Sequence, residues 1–267
     1  MRIWKNTATL NGLIESFTES VEPREAELVI IGSKPINLDE FPRLRGIFKT
    51  GVGLDNVPFK AAAVRGVEIE LPSIKTRESI HEETANFACH LILGLAYNHV
   101  GELDQWMKYP RRALSSQRLL VVGGGNIGGR VAQKMKNLME VDLHDPKLGT
   151  VGSLEEKLPQ ASIVTLHIPL LEETRDFLGA EQLGLLPDGA GVVNTARGPI
   201  VKESALYAEI EKGRLHAAFD VFWEEPYHGP LRDLVGQGFF MTPHVASTCQ
   251  DFIEGCACDL LNFIKRL

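Results

Sequence analysis

The sequence predicts an α/β fold built from two doubly wound parallel sheets. Short apolar segments alternate with helical patterns over residues 1–97, and the same alternation resumes from Leu119 onwards. Strands that alternate with helices indicate crossover connections and therefore mostly parallel sheets. The 267 residues suffice for two domains of ordinary size. We expect one domain at 1–97 plus 248–267 and a second domain at 98–247.

The composition limits the classes of partner that the chain could bind. Hydrophobic residues make up 44% and charged residues 24%, and the formal net charge is -7. A negative balance argues against nucleic acid or a membrane surface as a partner. No leader pattern opens the chain and no apolar run approaches the roughly 18 residues of a membrane span, so the cytoplasm is the expected location. The cysteines lack histidines at zinc spacing and are expected to be reduced thiols without a metal.

The first domain is predicted from its apolar runs and the helical patterns between them. We expect strands at Arg2–Trp4, Glu27–Ile31, Gly46–Phe48 and Val67–Leu71, and helices at Leu10–Phe17 and Phe59–Val64. A long helix is predicted at Glu78–Tyr97, where apolar residues repeat at helical spacing. A linker is expected near Tyr109–Arg112, where a proline interrupts the pattern.

Two loops that follow strands of this domain are candidate anion contacts. Glycines in Thr50–Asn56 expose backbone N–H groups that could hold a small carboxylate, and a plain turn is the alternative. The loop Ile31–Pro35 carries Lys34, and Lys49 directly follows the next predicted strand. Either lysine could contact an anion, although surface lysines are usually only solvated.

The stretch Leu119–Asp145 follows the pattern of a dinucleotide-binding unit. An apolar strand at Leu119–Val122 leads into glycines in G-x-G-x-x-G spacing and then into a helix. A second apolar strand, Met139–Leu143, leads to an acidic residue, Asp145. The order of strand, turn, helix, strand and acid is a stronger signal than the glycines alone, for which a structural turn is the alternative.

Each residue of this pattern has a physical role. Gly123 permits the tight turn, Gly125 lets a pyrophosphate approach the backbone, and Gly128 lets the helix pack closely on the strand. The N–H groups and the positive end of the helix would then hold the phosphates. The Asp145 carboxylate can accept hydrogen bonds from ribose hydroxyls and would repel a 2′-phosphate, which favours NAD over NADP.

The second domain continues with polar residues directly after its strands. We expect strands at Ser162–Ile168, Gly191–Asn194, Ala217–Phe219 and Phe239–Met241, and helices at Glu203–Lys212 and Cys249–Leu267. The last helix could return to the first domain. Because parallel strands place ligands at their carboxyl ends, the ligand site is expected near the polar residues Asp145, Arg197, Asp220 and His244.

Three residues could together support the reduction of a 2-keto acid, in which a nicotinamide would supply the hydride and the protein the proton. The planar guanidinium of Arg197 can clamp a carboxylate and polarise the adjacent carbonyl. His244 can donate and accept a proton near neutral pH, and a buried Glu225 beside it would favour the imidazolium and fix its tautomer. Asp220 could accept a hydrogen bond from a nicotinamide carboxamide. The alternative places Arg197 in a salt bridge and His244 on the surface.

Six stretches resemble, in order, the signatures of the D-isomer-specific 2-hydroxyacid dehydrogenases. They are TGVGLDNV, GGGNIG with HDP, TLHIPLLEETR, VNTARGPIV, AAFDVFWEEP and TPHVAS, and the resemblance runs from about Glu27 to the end of the chain. This family includes phosphoglycerate dehydrogenase, hydroxypyruvate and glyoxylate reductases and D-lactate dehydrogenase. The resemblance implies two α/β domains with the active site in the cleft between them, and a homodimer formed through the dinucleotide-binding domain.

The resemblance also implies roles for individual residues. Arg197 would bind the substrate, Glu225 would support the histidine, and His244 would be the acid and base. The backbone of Val52 and Gly53 would hold the substrate carboxylate. The cofactor positions would comprise Gly123, Gly125, Asn126, Ile127, Gly128, Asp145, Pro169, Thr195, Ala196 and Asp220. No metal is expected.

The chain departs from the family pattern in length and at particular residues. It is shorter before Glu27, between Asn98 and Gln117, and after Asp145, and the second region helps to form the dimer in the family. Gly32 stands where phosphoglycerate dehydrogenases often carry an arginine that meets the phosphate. Glu225 stands where formate dehydrogenases have glutamine, which argues against formate.

Two functions remain open from the sequence. The first is an NAD-dependent reductase or dehydrogenase of a small 2-keto or D-2-hydroxy acid, with side chains around Ser33, Val52 and Ile74 setting the substrate. The second is an NAD-sensing module without catalysis, like the corepressor branch of the family. Fold alone does not decide between these two functions. The complete set Arg197, Glu225 and His244 favours the enzyme.

Overall fold

The computed structural model describes all 267 residues, and these form two compact α/β units. The terminal unit comprises Met1–Glu83 and Ser247–Leu267, and the central unit comprises Thr84–Ala246. The predicted fold class is thereby confirmed. The first boundary falls inside the long helix, earlier than the residue 97 expected from the sequence. This is because Ala85, Ala88 and Leu91 of that helix pack in an apolar core of the central unit.

The terminal unit contains a five-stranded parallel sheet in the order β2-β1-β3-β4-β5. This is the order of a flavodoxin-like doubly wound sheet. Its elements are β1 (Arg2–Lys5), β2 (Glu19–Ser20), β3 (Leu28–Ile31), β4 (Gly46–Lys49), α1 (Phe59–Arg65), β5 (Glu68–Glu70), the start of α2 (Ile74–Ala96) and, after the central unit, α7 (Gln250–Ile264).

Both faces of this sheet are covered. Alternate residues of a strand point to opposite faces, and accordingly Leu28 and Ile30 join one apolar cluster while Val29 and Ile31 join another. The first cluster contains Phe263 of α7, so the last helix packs on the terminal unit, as expected from the sequence. Strands buried on both faces explain why the apolar runs are continuous rather than alternating.

The central unit contains a six-stranded parallel sheet in the order β13-β12-β11-β10-β8-β9. The strand order reverses at β8, which has β9 on one side and β10 on the other. Ligands of open α/β sheets bind at such a switch point. The elements of this sheet and its helices are β8 (Arg118–Val122), α3 (Gly128–Met135), β9 (Glu140–His144), α4 (Leu154–Lys157), β10 (Ile163–Leu166), α5 (Ala180–Leu185), β11 (Gly191–Asn194), α6 (Glu203–Glu211), β12 (His216–Phe219) and β13 (Phe239–Met241).

The predicted helix at Leu10–Phe17 is wrong. This segment forms successive turns, closed by backbone hydrogen bonds of the i to i−3 type such as Leu13 N–H to Leu10 C=O. Gly12 has φ 84°, in the left-handed region, which interrupts a right-handed helix. The Glu15 carboxylate also accepts a hydrogen bond from the Ile14 N–H. Local side-chain bonding of this kind competes with the helix.

The expected linker at Tyr109–Arg112 has no regular secondary structure, and a small hairpin precedes it. Its strands, β6 (Gly101–Glu102) and β7 (Met107–Lys108), pair antiparallel. The Tyr109 hydroxyl donates to Glu102, and the Tyr109 ring stacks on His99. These contacts stabilise the hairpin, although its sequence shows no alternation of apolar and polar residues.

The long helix α2 begins at Ile74, before the predicted Glu78. Ser73 accepts a hydrogen bond from the Thr76 N–H, and the Asp259 carboxylate of α7 accepts from the Ser73 N–H and the Thr76 hydroxyl. A carboxylate at a helix N-terminus is favourable for the helix dipole. Because Asp259 is remote in sequence, the local pattern did not predict it. None of the helices combines the length and apolar character that crossing a membrane requires.

Candidate active site

The glycine-rich turn joins β8 to α3 at the switch point of the central sheet. Gly123 has φ 94° and its N–H donates to the His144 carbonyl at 2.9 Å. A Cβ on Gly128 would overlap the Gly123 carbonyl oxygen, so the helix approaches the strand only because this residue has no side chain. A Cβ on Gly125 would meet no atom within 4 Å. The space beside Gly125 is therefore open, which fits the approach of a pyrophosphate.

Asp145 lies at the end of β9 and is tied to the same turn. Its Oδ2 accepts from the Gly124 N–H at 2.8 Å, and its Oδ1 accepts from the Lys147 N–H at 3.0 Å. Its own N–H donates to Thr150 at 2.8 Å. Each carboxylate oxygen retains a further acceptor site after these bonds. Asp145 is thus held rigidly beside the glycine turn with capacity for two hydroxyl donors.

Other predicted cofactor residues surround this switch point with varied exposure. Asn126 and Pro169 are exposed, while Ile127 and Ala196 are half-buried. The Thr195 hydroxyl is buried and has no hydrogen-bond partner, which fits a place where a ligand would complete its bonding.

His167 follows β10 and borders the glycine turn, since a Cβ on Gly128 would also come within 3.1 Å of the His167 Cβ. Burial lowers the pKa of His167 to about 3, so its ring is neutral at physiological pH. The ring Nε2 lies 3.0 Å from the Thr165 hydroxyl. The neutral His167 ring therefore adds no positive charge next to the glycine turn.

Arg197 lies in the loop after β11. Its Nη1 donates to the Ala196 carbonyl at 2.8 Å. The next residue, Gly198, lies directly against the backbone of Phe222, and a Cβ on Gly198 would overlap it. This close approach brings the Arg197 loop beside the segment that carries Glu225.

Glu225 and His244 form a hydrogen-bonded pair. The His244 Nδ1 lies 2.8 Å from Glu225 Oε2 and 3.0 Å from Oε1, and the Phe222 N–H donates to Oε1 at 3.2 Å. Burial raises the pKa of Glu225, but the hydrogen bonds from His244 and Phe222 and the charges of His244 and Arg197 lower it by more. The Glu225 pKa therefore lies below its ordinary value, and the carboxylate stays ionised at neutral pH.

The backbone of His244 is in an unusual conformation. Its φ is 55°, in the left-handed region that a side chain other than glycine rarely adopts. The His244 side chain keeps 31% of its surface exposed. Because Nδ1 faces Glu225, the other ring nitrogen, Nε2, is the one left for a ligand. Strained backbone that presents a histidine in this way is typical of functional sites.

Asp220 follows β12 and holds the loop that contains His244. It has no exposed surface. Its Oδ1 accepts from the Thr242 hydroxyl at 2.6 Å and the Val245 N–H at 2.8 Å, and its Oδ2 accepts from the Ala246 N–H at 2.8 Å. Burial raises the pKa of Asp220, against the effect of these bonds. The contact with a nicotinamide carboxamide stays a prediction.

The central unit thus brings together Arg197, Glu225, His244 and Asp220 at neighbouring strand ends. The alternative in which His244 is merely a surface residue does not hold, because its ring is paired with the half-buried carboxylate of Glu225. Asn194, a fully buried residue that bonds the Arg197 loop, was not among the site residues predicted from the sequence. A polar residue that ends an apolar strand is the signal that could have identified it.

The remaining candidates lie in the terminal unit. Val52 and Gly53 are half-buried in the loop after β4, and Val52 packs against an apolar cluster of that unit. Lys49 is buried, with 2% of its surface exposed, and its Nζ donates to the Gly32 carbonyl. Lys34 is exposed. The two lysines considered as anion contacts therefore have very different environments.

A family model matches more than half of the chain. Residues 94–246 match the model described as "D-isomer specific 2-hydroxyacid dehydrogenase, NAD binding domain". This range includes the glycine turn, Asp145, Arg197, Glu225 and His244.

Curated proteins similar to the chain carry several dehydrogenase and reductase names. The glyoxylate reductase of Korarchaeum cryptofilum is 32% identical, over 93% of this chain and 80% of that protein. The D-3-phosphoglycerate dehydrogenase of Methanocaldococcus jannaschii is 28% identical, over 95% of this chain and 51% of that protein. The chain therefore spans about half the length of one of these relatives and four fifths of the other.

Solved structures agree on the fold. The TT0316 protein of Thermus thermophilus has a TM-score of 0.77 at 27% identity, covering 99% of this chain and 96% of that one. A D-lactate dehydrogenase of Aquifex aeolicus, complexed with NAD and lactic acid, has a TM-score of 0.80 at 22% identity, covering 99% and 94%.

Proposed function

Because the chain belongs to the D-isomer-specific 2-hydroxyacid dehydrogenase family, we propose that it interconverts a small D-2-hydroxy acid and its 2-keto acid with a nicotinamide cofactor. The observation that carries the proposal is the His244–Glu225 pair, 2.8 Å apart, beside the loop of Arg197. A carboxylate clamp and a proton donor are the two groups that reduction of a keto acid requires from the protein.

Arg197 binds the substrate in this proposal. Its guanidinium offers several N–H donors in a planar fork, which match a carboxylate in a bidentate arrangement. The same donors can polarise the adjacent carbonyl. Val52 and Gly53 supply backbone N–H groups to the substrate carboxylate.

His244 moves the proton. Glu225 accepts from Nδ1, fixes the tautomer and stabilises the positive ring by its own negative charge. The Nε2–H then donates to the carbonyl oxygen as the keto acid is reduced, and Nε2 accepts that proton in the reverse reaction. The bound nicotinamide supplies or accepts the hydride.

The residues present fit a dinucleotide. The open side of Gly125 and the N-terminus of α3 suit a pyrophosphate, and Asp145 suits the ribose hydroxyls. Asn126, Ile127, Pro169, Thr195, Ala196 and Asp220 complete the proposed cofactor site. We propose NAD rather than NADP, because the Asp145 carboxylate would repel a 2′-phosphate.

We propose an unphosphorylated substrate. Gly32 offers no cationic side chain, and Lys49 is buried with its ammonium bonded to the Gly32 carbonyl. The exposed Lys34 alone provides a mobile point charge, which is weaker recognition than a bidentate guanidinium. Glyoxylate, pyruvate and hydroxypyruvate are the small acids that fit this description.

The proposed assembly is a homodimer through the central unit, and the proposed location is the cytoplasm. Both rest on the family resemblance and the sequence. Light scattering coupled to gel filtration of the full chain distinguishes a dimer from a monomer directly.

A panel assay tests the proposed function. NADH oxidation is measured with glyoxylate, hydroxypyruvate, pyruvate and 3-phosphohydroxypyruvate, each with wild type and Arg197→Ala. We expect turnover of an unphosphorylated acid and a much higher KM in the variant. NADH binding without turnover of any acid would contradict the enzyme and favour the NAD-sensing module instead.

A further inference from the structure

Asn194 is the last residue of β11 and has no exposed surface. Its side-chain amide makes two hydrogen bonds, both to the loop that follows. The Oδ1 atom accepts from the Ala196 N–H at 2.9 Å, and the Nδ2 atom donates to the Arg197 carbonyl at 2.9 Å. One side-chain amide therefore bonds both a backbone donor, the Ala196 N–H, and a backbone acceptor, the Arg197 carbonyl.

These two bonds fix the backbone from which the Arg197 side chain extends. An amide of this length carries both a donor and an acceptor, whereas an aspartate carboxylate offers only acceptors. Loss of the Asn194 acceptor would leave the Ala196 N–H without this partner, and loss of the donor would leave the Arg197 carbonyl with the longer bond from the Ile200 N–H, at 3.3 Å. The Asn194 amide thus fixes the start of the loop, and the turn bonds of Ile200 and Val201 continue it.

Asn194 is also joined to the strand that supports His244. The Asp220 N–H donates to the Asn194 carbonyl at 3.0 Å. The Asp220 carboxylate in turn accepts from the Val245 and Ala246 N–H groups. A continuous series of hydrogen bonds therefore runs from the Arg197 carbonyl to the backbone that follows His244.

We propose that Asn194 is the positioning residue for Arg197. The Asn194 amide holds the Arg197 backbone so that the guanidinium is oriented to bind the substrate carboxylate. The inference rests on the substrate-binding role proposed above for Arg197. Asn194 itself touches neither substrate nor reacting atoms. Its effect is on the placement of the guanidinium, and therefore on how well Arg197 binds the substrate carboxylate.

The test compares Asn194→Ala and Asn194→Asp with a matched control, Val193→Ala. Val193 is the neighbouring residue of β11, is equally buried, and faces an apolar cluster instead of the loop. The aspartate keeps an acceptor for the Ala196 N–H but loses, as a carboxylate, the donor to the Arg197 carbonyl. We expect both Asn194 variants to raise the KM of the 2-keto acid about tenfold, with kcat changed less. Val193→Ala leaves the KM unchanged.

A double-mutant cycle separates positioning from general loss of structure. If Asn194 acts through Arg197, Asn194→Asp raises the KM in wild type and has no further effect in Arg197→Ala. Additive effects, or Asn194 variants that behave like Val193→Ala, would overturn the inference while the proposed function stands. An Arg197→Ala variant with wild-type KM, or a wild type without turnover, would overturn the proposed function and this inference with it.

Discussion

The Nδ1 atom of His244 lies 2.8 Å from Oε2 of Glu225, although nineteen positions separate the two residues in the chain. The His244 backbone has φ 55°, and the Glu225 pKa is held below its ordinary value. The pair therefore combines an ionised carboxylate with a histidine whose side chain keeps 31% of its surface exposed. This arrangement is what a proton donor for a carbonyl oxygen requires.

Replacement of Glu225 by glutamine should slow keto acid reduction. Glutamine can still accept a hydrogen bond but carries no charge to stabilise the positive imidazole. We expect kcat to fall about 100-fold at neutral pH, measured as NADH oxidation with saturating keto acid. The control is Glu224→Gln, which changes an exposed neighbouring acid. Equal rates for the two variants would contradict the role of the pair.

Substitutions of Gly125 and Gly128 should distinguish an effect on cofactor binding from an effect on folding. Gly125→Ala adds a methyl group to open space, so the unfolding midpoint stays near wild type while NADH affinity, measured by fluorescence titration, falls about tenfold. Gly128→Ala overlaps the Gly123 carbonyl and lowers the free energy of unfolding by about 3 kcal/mol. A wild-type NADH affinity in Gly125→Ala would contradict the proposal that the pyrophosphate binds at this turn.

Asp145 should set the choice between the two nicotinamide cofactors. Asp145→Ser retains one acceptor for the backbone N–H groups but removes the charge that opposes a 2′-phosphate. We expect the ratio of kcat/KM for NADH over NADPH to fall at least about tenfold. Glu140→Gln, at the start of the same strand β9, serves as the control and keeps the wild-type ratio. A wild type that prefers NADPH would show the Asp145 argument to be wrong.

Asp259 should stabilise the terminal unit through the start of α2. Asp259→Ala removes the acceptor of the Ser73 N–H and the Thr76 hydroxyl, and we expect a loss of about 1–2 kcal/mol in the free energy of unfolding by urea. Asp188→Ala is the control, because its side chain is 88% exposed and lies 3.7 Å from Arg214. That change should alter stability by less than about 0.5 kcal/mol. Losses of the same size in both variants would argue against the cap.

The strand ends were the part of the fold and site that local sequence could predict. Buried parallel strands form continuous apolar runs, so the polar residues after them, such as Arg197 and Asp220, stood out. The glycine turn was also predictable, because its spacing is fixed by backbone geometry. These features depend on residues that are close together in the chain.

Features set by remote partners were not predictable. The start of α2 depends on Asp259, which is remote in sequence. The turns at Leu10–Phe17 are local, but the left-handed conformation of Gly12 is not fixed by residue type alone. The Asp220 carboxylate is bonded by the Val245 and Ala246 N–H groups, which are also remote in sequence. A pattern that reports only residue type and spacing contains none of this information.

The proposed mechanism depends on proton donation from His244 to the substrate carbonyl oxygen. The most direct measurement compares wild type with His244→Gln for NADH oxidation by the best of the small 2-keto acids, with NADH binding followed by fluorescence in both proteins. We expect unchanged NADH binding and a kcat at least about 100-fold lower in the variant. A variant that binds NADH and reduces the acid at the wild-type rate would contradict it.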